Sequence, residues 1–371
     1  MAAVKVHLVG GFLGSGKTTA IRSACELLRQ RGEAASVITN DQGTLLIDTA
    51  FLRGSHPTRE VTGGCFCCRY DQLVELLAYA RRDGAQHVFA EAVGSCADLV
   101  ATVVRPLLGS ASGPVDRVSF TAMVDARVLI RLQSGEPLPW SGDIAYLFLE
   151  QLREAPLLVA SKWDLVTDPP SLATSGNGSG IPGPGQTLLC QDGRTPAGVA
   201  GWVDALCDPE HPATAAAGAC DLGIDYARYS AGEEALAWLD AEVRVDAAEG
   251  GARAAAGRLV RAVVTEVSAD AEAVGHVKFL IRDHLYDVKV SHTAGDEAPE
   301  QALLGELGQL ERLSDRRLYV VVNARAEIGA ERLQRILEGA VAASAGGATL
   351  AIIRSAAFHP EPPQPARMAA L

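Results

Sequence analysis

An α/β fold with a mostly parallel sheet, followed by a smaller α+β domain of ferredoxin-like pattern, is predicted by three features of this 371-residue sequence. Short apolar runs alternate with amphipathic helical stretches through the first half, which is the pattern of strands buried on both faces. The first such run meets a glycine-rich turn that opens a helix. After about residue 230 two strand-helix-strand arms flank a hairpin, the order expected of a ferredoxin-like sandwich.

Each element has its own warrant. Val4–Val9 is apolar and β-rich, and from Thr18 to about Arg31 the residues Ile21, Ala24, Cys25 and Leu28 recur at helical spacing before Gly32 stops the run. Ala35–Thr39, His87–Ala90, Arg117–Val124 and Leu157–Ala160 read as further buried strands, and Gln72–Arg82 as an amphipathic helix. Thr167 to Gln186 is rich in Pro, Gly and Ser and reads as a flexible insert. Thr187–Cys190 closes the sheet, with a helix over Thr195–Leu206. In the second part, Ala235–Val245, Val274–Arg282, Leu285–His292, Arg317–Arg325 and Thr349–Arg354 read as strands, and Ala252–Val267 and Ala330–Ala343 as helices. The stretch Ala298–Leu313 is extra to a ferredoxin-like plan. The expected division is 1–230, with an insert at about 167–186, then 234–358, then a Pro-rich tail 359–371 expected to fray.

Composition narrows the function. Lys and Arg total 33 against 45 Asp and Glu, a net charge of −12, which argues against nucleic-acid phosphates as partners. No apolar stretch reaches the roughly 18 residues of a membrane span, so no membrane association and a cytoplasmic location are expected. The eight cysteines do not suggest a disulfide framework, since Cys65, Cys67 and Cys68 crowd into four positions.

Gly11-Phe-Leu-Gly14-Ser15-Gly16-Lys17-Thr18, between a strand and a helix, satisfies the P-loop pattern. Glycines let backbone N–H groups curl around phosphates, Lys17 adds a point charge, and Thr18 offers a hydroxyl to Mg²⁺. The fold class is therefore a P-loop NTPase followed by the α+β domain. Ser161-Lys162-Trp163-Asp164 follows a strand where guanine-specific NTPases carry Asn-Lys-x-Asp. A carboxylate at Asp164 can accept both the guanine N1–H and the 2-amine, which adenine cannot offer, and Lys162 can lay its stem along the base. GTP is thus the expected nucleotide, although Ser161 departs from Asn. Asp41 and Glu91, each just past a strand, are candidates for the Mg²⁺ shell, and Glu91 and Lys17 for catalysis at the γ-phosphate. Asp48 is a candidate for Mg²⁺ or for positioning the attacking water, and Gly94 for a switch glycine.

Gly63-Gly64-Cys65-Phe66-Cys67-Cys68 places three soft ligands within one turn of chain. Such a set suits Zn²⁺, Cu(I), Co²⁺ or Ni²⁺, and three ligands leave a position open, which suits transfer better than a closed structural site. Cys25, Cys190, Cys207 and Cys220 lack neighbouring ligand patterns of comparable strength.

Together, GGFLGSGKTT, GGCFCC, EAVG and SKWD resemble the CobW-like metallochaperones, a branch of the P-loop GTPases that includes the nickel chaperones for urease and hydrogenase. The motifs span about residues 10–164. The resemblance implies that Cys65, Cys67 and Cys68 bind a transition metal, with Zn²⁺ or Co²⁺ foremost, and that Gly14, Gly16, Lys17, Thr18 and Thr19 serve phosphate and Mg²⁺. It implies a slow, client-stimulated GTPase that delivers metal to a client metalloprotein, and subunit pairing is common in switch GTPases of this type. Asn40-Asp41 is closer to the nickel-chaperone switch than to the usual CobW one, which supports Asp41. In place of Glu-Thr-Thr-Gly stands Glu91-Ala-Val-Gly94-Ser-Cys96, so Cys96 is a candidate fourth ligand when GTP is bound. The alternative is a GTP-dependent activator or remodelling factor of a cofactor enzyme, such as a corrinoid protein, with structural cysteines.

Overall fold

A computed structural model of the chain describes residues 4–41, 47–53, 56–109, 115–140, 142–167, 172, 180–211, 223–296 and 299–367. The first half runs β1 (Val4–Gly10), α1 (Lys17–Gln30), β2 (Ala35–Asp41), α2 (Ile47–Arg53), β3 (Thr58–Thr62), α3 (Tyr70–Arg82), β4 (His87–Glu91), a π-helical turn Val100–Val104, α4 (Arg105–Gly109), β5 (Val115–Asp125), α5 (Ala126–Gln133), α6 (Gly142–Glu154), β6 (Leu157–Ser161), β7 (Thr187–Cys190), α7 (Ala200–Cys207) and α8 (Tyr226–Glu234). Its seven strands form one sheet in the order β3-β2-β4-β1-β5-β6-β7, and each pairing is parallel.

Parallel strands need helical crossovers, so helices cover both faces and the central strands carry no polar alternation. Strands β4 and β6 are buried at every position. On one face the predicted stripe Ile21, Ala24, Cys25 and Leu28 of α1 packs with Trp202, Val203 and Leu206 of α7. Register brings the carboxyl ends of the strands to one edge: Glu91 lies beside both Val9 and Thr39, and Asp125 beside Ser161. That edge is where open α/β sheets bind ligands.

The second half runs β8 (Ala237–Asp246), α9 (Ala252–Asp270), β9 (Ala273–Arg282), β10 (Asp287–Thr293), α10 (Pro299–Gly308), β11 (Arg317–Glu327), α11 (Ala330–Ala343) and β12 (Thr349–Phe358). The sheet order is β10-β9-β11-β8-β12, antiparallel throughout. Without β10 this is the β12-β8-β11-β9 order of a ferredoxin-like unit. The strand β10 is an added edge, and α10 occupies the stretch that the sequence left over. The odd positions of β8, from Ala237 to Val245, face the helical core. On the other face Arg325 is buried in an ion pair with Asp240 at 2.9 Å and lies over the Trp238 ring.

Cα packing divides the chain into Met1–Gln42, Leu52–Gly232 and Pro362–Leu371 on one side, and Gly43–Phe51 and Glu233–Glu361 on the other. Two segments thus depart from the expected linear division. Residues 43–51 cluster with the second unit, where Ile47 packs on Leu280 and Val321. The Pro-rich segment expected to fray is docked on the first unit through residues 364–367. Much of the 167–186 insert, and Cys220, lie outside the described residues. Among the described residues no helix is long and apolar enough to cross a membrane.

Candidate nucleotide and metal site

Between β1 and α1 the chain turns through Gly11, Gly14 and Gly16, with φ of 118°, 78° and 83°. A Cβ on Gly11 would fall 2.1 Å from the Met123 carbonyl oxygen, so no other residue fits against β5 there. Such a turn followed by a helix N-terminus makes an anion-binding concavity. Lys17 is buried and its Nζ donates to the Gly11 and Phe12 carbonyls at 2.6 and 3.3 Å. The Ser15 hydroxyl is buried with no hydrogen-bond partner among the described residues. A buried donor left unmade is costly, and a phosphate oxygen would satisfy it. Phe12, packed edge-on against Trp140 and Phe148, holds the loop from beneath.

Thr18 Oγ1 donates to Glu91 Oε1 at 2.8 Å, so the two predicted Mg²⁺-shell oxygens already adjoin. Hard oxygen donors of this kind fit Mg²⁺. Asp41 ends β2 beside Thr62; its side chain lies outside those described. Asp48 corrects the reading made from sequence. Its carboxylate accepts from Lys278 at 2.6 Å and Lys289 at 2.9 Å within the second unit. Burial pushes this carboxyl up, but the two ammonium groups outweigh it and hold the pKa well below the usual value. An anion so committed serves as an ion-pair anchor of the second unit.

Gly94 follows β4 with its Cα against the P-loop: a Cβ there would lie 2.6 Å from Leu13 Cδ2 and 3.0 Å from the Leu13 backbone nitrogen. Buried Gln151 of α6 donates from Nε2 to the carbonyls of Gly94 and Cys96, both at 2.9 Å, and so holds the segment after Glu91 at two points.

At the base-reading end, Ser161 Oγ lies 2.6 Å from the Ser15 carbonyl and 3.1 Å from that of Val124, tying β6 to the P-loop. Lys162 sits in the left-handed region with φ 57°, and its Nζ pairs with Asp125 at 2.9 Å. Asp164 is bound by Arg194 at 2.8 Å, while the Arg194 Nε donates to Asp192 at 3.0 Å. Partial burial and the nearby Asp192 push the Asp164 carboxyl above its usual range.

Gly63 and Gly64, with φ of 69° and 152°, turn the chain from β3 into the cysteine loop. The ligand atoms of Cys65, Cys67 and Cys68 all lie within 4.8 Å of one another. Cys65 Sγ is 2.6 Å from Cys67 Sγ and 3.1 Å from Cys68 Sγ. Hydrogen bonds from Cys67, Cys68 and Cys96 draw the Cys65 thiol far below its ordinary value, and the same contacts push Cys67 up. Three thiols converging in this way are a donor set for a thiophilic ion. Cys96, buried beyond Gly94, approaches this set through Cys65.

Sequence reasoning passed over Asn40 as a side chain in its own right. Its Oδ1 accepts from the Phe66 N–H at 2.8 Å, and its Nδ2 donates to the Gly64 and Val61 carbonyls at 2.7 and 3.3 Å. One buried amide thus joins the end of β2 to the cysteine loop. Asp125, Gln151 and Arg194 were missed as well. Each reaches the site through a partner 30 or more residues away, which no local motif marks, although Asp125 and Arg194 also pair with Arg127 and Asp192 close by.

A family profile described as CobW/HypB/UreG, nucleotide-binding domain, matches residues 5–176. Among curated proteins the chain is similar to the zinc chaperone CobW of a Sinorhizobium species, 29% identical over 186 residues, or 44% of this chain and 52% of that protein. It is also similar to the zinc chaperone YeiR of Escherichia coli strain K12, 42% identical over 67 residues, or 17% of this chain and 20% of that one. The chain therefore spans about half the length of the first relative and a fifth of the second. Among solved structures, HypB from Helicobacter pylori in complex with nickel aligns with a TM-score of 0.41 at 16% identity, over 56% of this chain and 87% of that one.

Proposed function

From the match of residues 5–176 to the CobW/HypB/UreG nucleotide-binding domain, we propose that the chain is a GTP-hydrolysing metallochaperone that carries a transition metal on Cys65, Cys67 and Cys68 to a client metalloprotein. The observation that carries this reading is the Asn40 amide, which ties the cysteine loop to the end of the strand from which a nucleotide switch departs.

In this proposal the Gly11–Gly16 turn, Ser15, Lys17, Thr18 and Thr19 bind the phosphates, and Thr18, Asp41 and Glu91 hold Mg²⁺. Asp164 reads guanine with Lys162 along the base. Phosphate binding draws Lys17 off the Gly11 and Phe12 carbonyls and orders the segments at Asn40 and at Gly94. Asn40 and Gln151 pass that order to the cysteine loop and to Cys96, which joins the set as a fourth thiolate. Zinc is the first candidate for cargo, because the relatives named above are zinc chaperones; cobalt is the second. Hydrolysis is slow and client-stimulated, it relaxes both segments, and the site returns to three ligands. The protein works in the cytoplasm, where free thiols persist.

A ligand shifts a two-state protein only by its difference in affinity between the states. Zinc affinity measured with a non-hydrolysable GTP analogue and with GDP therefore tests the reading. Tighter binding in the GTP state is expected, with loss of that site on joint replacement of Cys65, Cys67 and Cys68 by Ser. Equal affinities in the two nucleotide states would remove the switch.

A further inference from the structure

Gln364 to Arg367 lies across the cysteine loop and is fixed there at four points. The Gln364 backbone N–H donates to Cys68 Sγ at 3.2 Å, and the Ala366 N–H donates to the Cys67 carbonyl at 2.9 Å. Arg367 then pairs with Asp71 at 2.9 Å, and its guanidinium sits 5.0 Å from the centre of the Tyr70 ring. These contacts fall on two of the three thiol residues and on the first turn of α3, which starts just after them.

We propose that residues 362–367 form a strap that completes the wall of the cysteine site and limits how fast metal and thiol-directed molecules reach it. Cys68 is the least buried of the three thiols, so it is the one an incoming ion or client ligand meets first. The strap contributes there a main-chain donor to sulfur, the kind of outer contact that stabilises a thiolate and orients it. Its holding force is modest: two hydrogen bonds, one exposed ion pair and one cation–π contact, which together permit opening without unfolding the domain. Pro362, Pro363 and Pro365 favour the extended backbone that such a strap needs and lower the entropy lost on docking. Handing metal to a client then requires the strap to lift. The metal part of this proposal rests on the metallochaperone reading; the part that concerns thiol access does not.

The test uses the full chain, an Arg367→Ala variant, a Gln364→Pro variant that removes the donor N–H, and a chain ending at Glu361. The rate of iodoacetamide labelling at Cys68 is read by peptide mass spectrometry in the metal-free protein, and the rate of zinc removal by a colorimetric chelator is read in the zinc-loaded protein. Labelling is expected to speed up roughly two- to threefold in each point variant and about fivefold or more in the shortened chain. A synthetic peptide of residues 362–367 added to the shortened chain should slow it again, and the Arg→Ala peptide should do so less. GTP affinity, which the strap does not touch, serves as the control for an intact fold. Labelling rates equal to those of the full chain in both point variants and the shortened chain would overturn the strap. Faster labelling in proteins that bind no zinc would leave the strap standing and remove the metallochaperone reading.

Discussion

The side-chain oxygen of Asn40 accepts the backbone N–H of Phe66 at 2.8 Å, across 26 residues of chain. Asn40→Ala removes this bond and the two that Nδ2 donates, and leaves the Phe66 N–H without its acceptor. A buried donor left unmade costs about 1–3 kcal/mol. The expected outcome is a loss of roughly tenfold in the ratio of zinc affinities between the GTP and GDP states, with GTP affinity itself little changed. Isothermal titration with zinc in each nucleotide state measures it; an unchanged ratio would show that the link runs elsewhere.

Arg194 occupies the Asp164 carboxylate, which the proposed reading of guanine would need free. Its side chain is 62% exposed, and exposed ion pairs are worth about 0.2–1 kcal/mol. Arg194→Ala should accordingly tighten GTP binding by no more than about fivefold. Asp164→Asn has the opposite effect, because an amide cannot accept two N–H donors on the same edge: GTP affinity should fall by tenfold or more, roughly. Competition with inosine triphosphate, which lacks the 2-amine, locates the loss at the base.

Gly94→Ala drives a Cβ into Leu13 at distances that real side chains do not adopt. The P-loop must yield by a fraction of an ångström, and displacements on that scale are costly at a reacting centre. Single-turnover GTP hydrolysis should slow by on the order of tenfold or more, while thermal stability changes little. Wild-type hydrolysis in this variant would mean that the segment after Glu91 stands clear of the loop when nucleotide is bound.

Asp48 supplies the pH dependence. Its folded pKa lies below the unfolded value of about 3.9, so its pairing with Lys278 and Lys289 is fully stabilising above about pH 4 and is lost as pH falls below that toward the folded pKa. Asp48→Asn leaves two mostly buried ammonium groups facing each other and should cost about 2–3 kcal/mol at neutral pH. The gap between variant and parent, read by chemical denaturation, should narrow once the pH drops below about 4. A gap that stayed constant down to pH 3 would show that Asp48 is not the ionised partner.

The strands and helices that carry the chemistry were legible because each announces itself locally. Val4–Gly10 into Gly11, and the stripe Ile21, Ala24, Cys25 and Leu28, need no knowledge of the rest of the chain. The edge strand Thr58–Thr62 was missed because it is short and only part-buried, so it lacks an apolar run. Helix α6 was not read either, although its apolar face is well formed. Asp48 was misread for a sharper reason: it follows the second strand at an interval that suits a γ-phosphate ligand, and its partners stand 230 and 241 residues away. Residues 362–367 were read as fraying because two main-chain donors and one arginine dock them on partners 296 or more residues away, and neither kind of contact has a signature in local composition.

The contact between Gln364 and Cys68 joins positions 296 residues apart. At a synthesis rate of about 5–20 residues per second, some 15–60 s separate the appearance of the cysteine loop from that of the segment that covers it. During that interval the three thiols stand without their outer wall. Under the proposed strap, an ion or thiol reagent that reaches the loop in that interval meets no cover, whereas in the finished protein it waits for the strap to lift, so the rates of first loading and of later exchange differ.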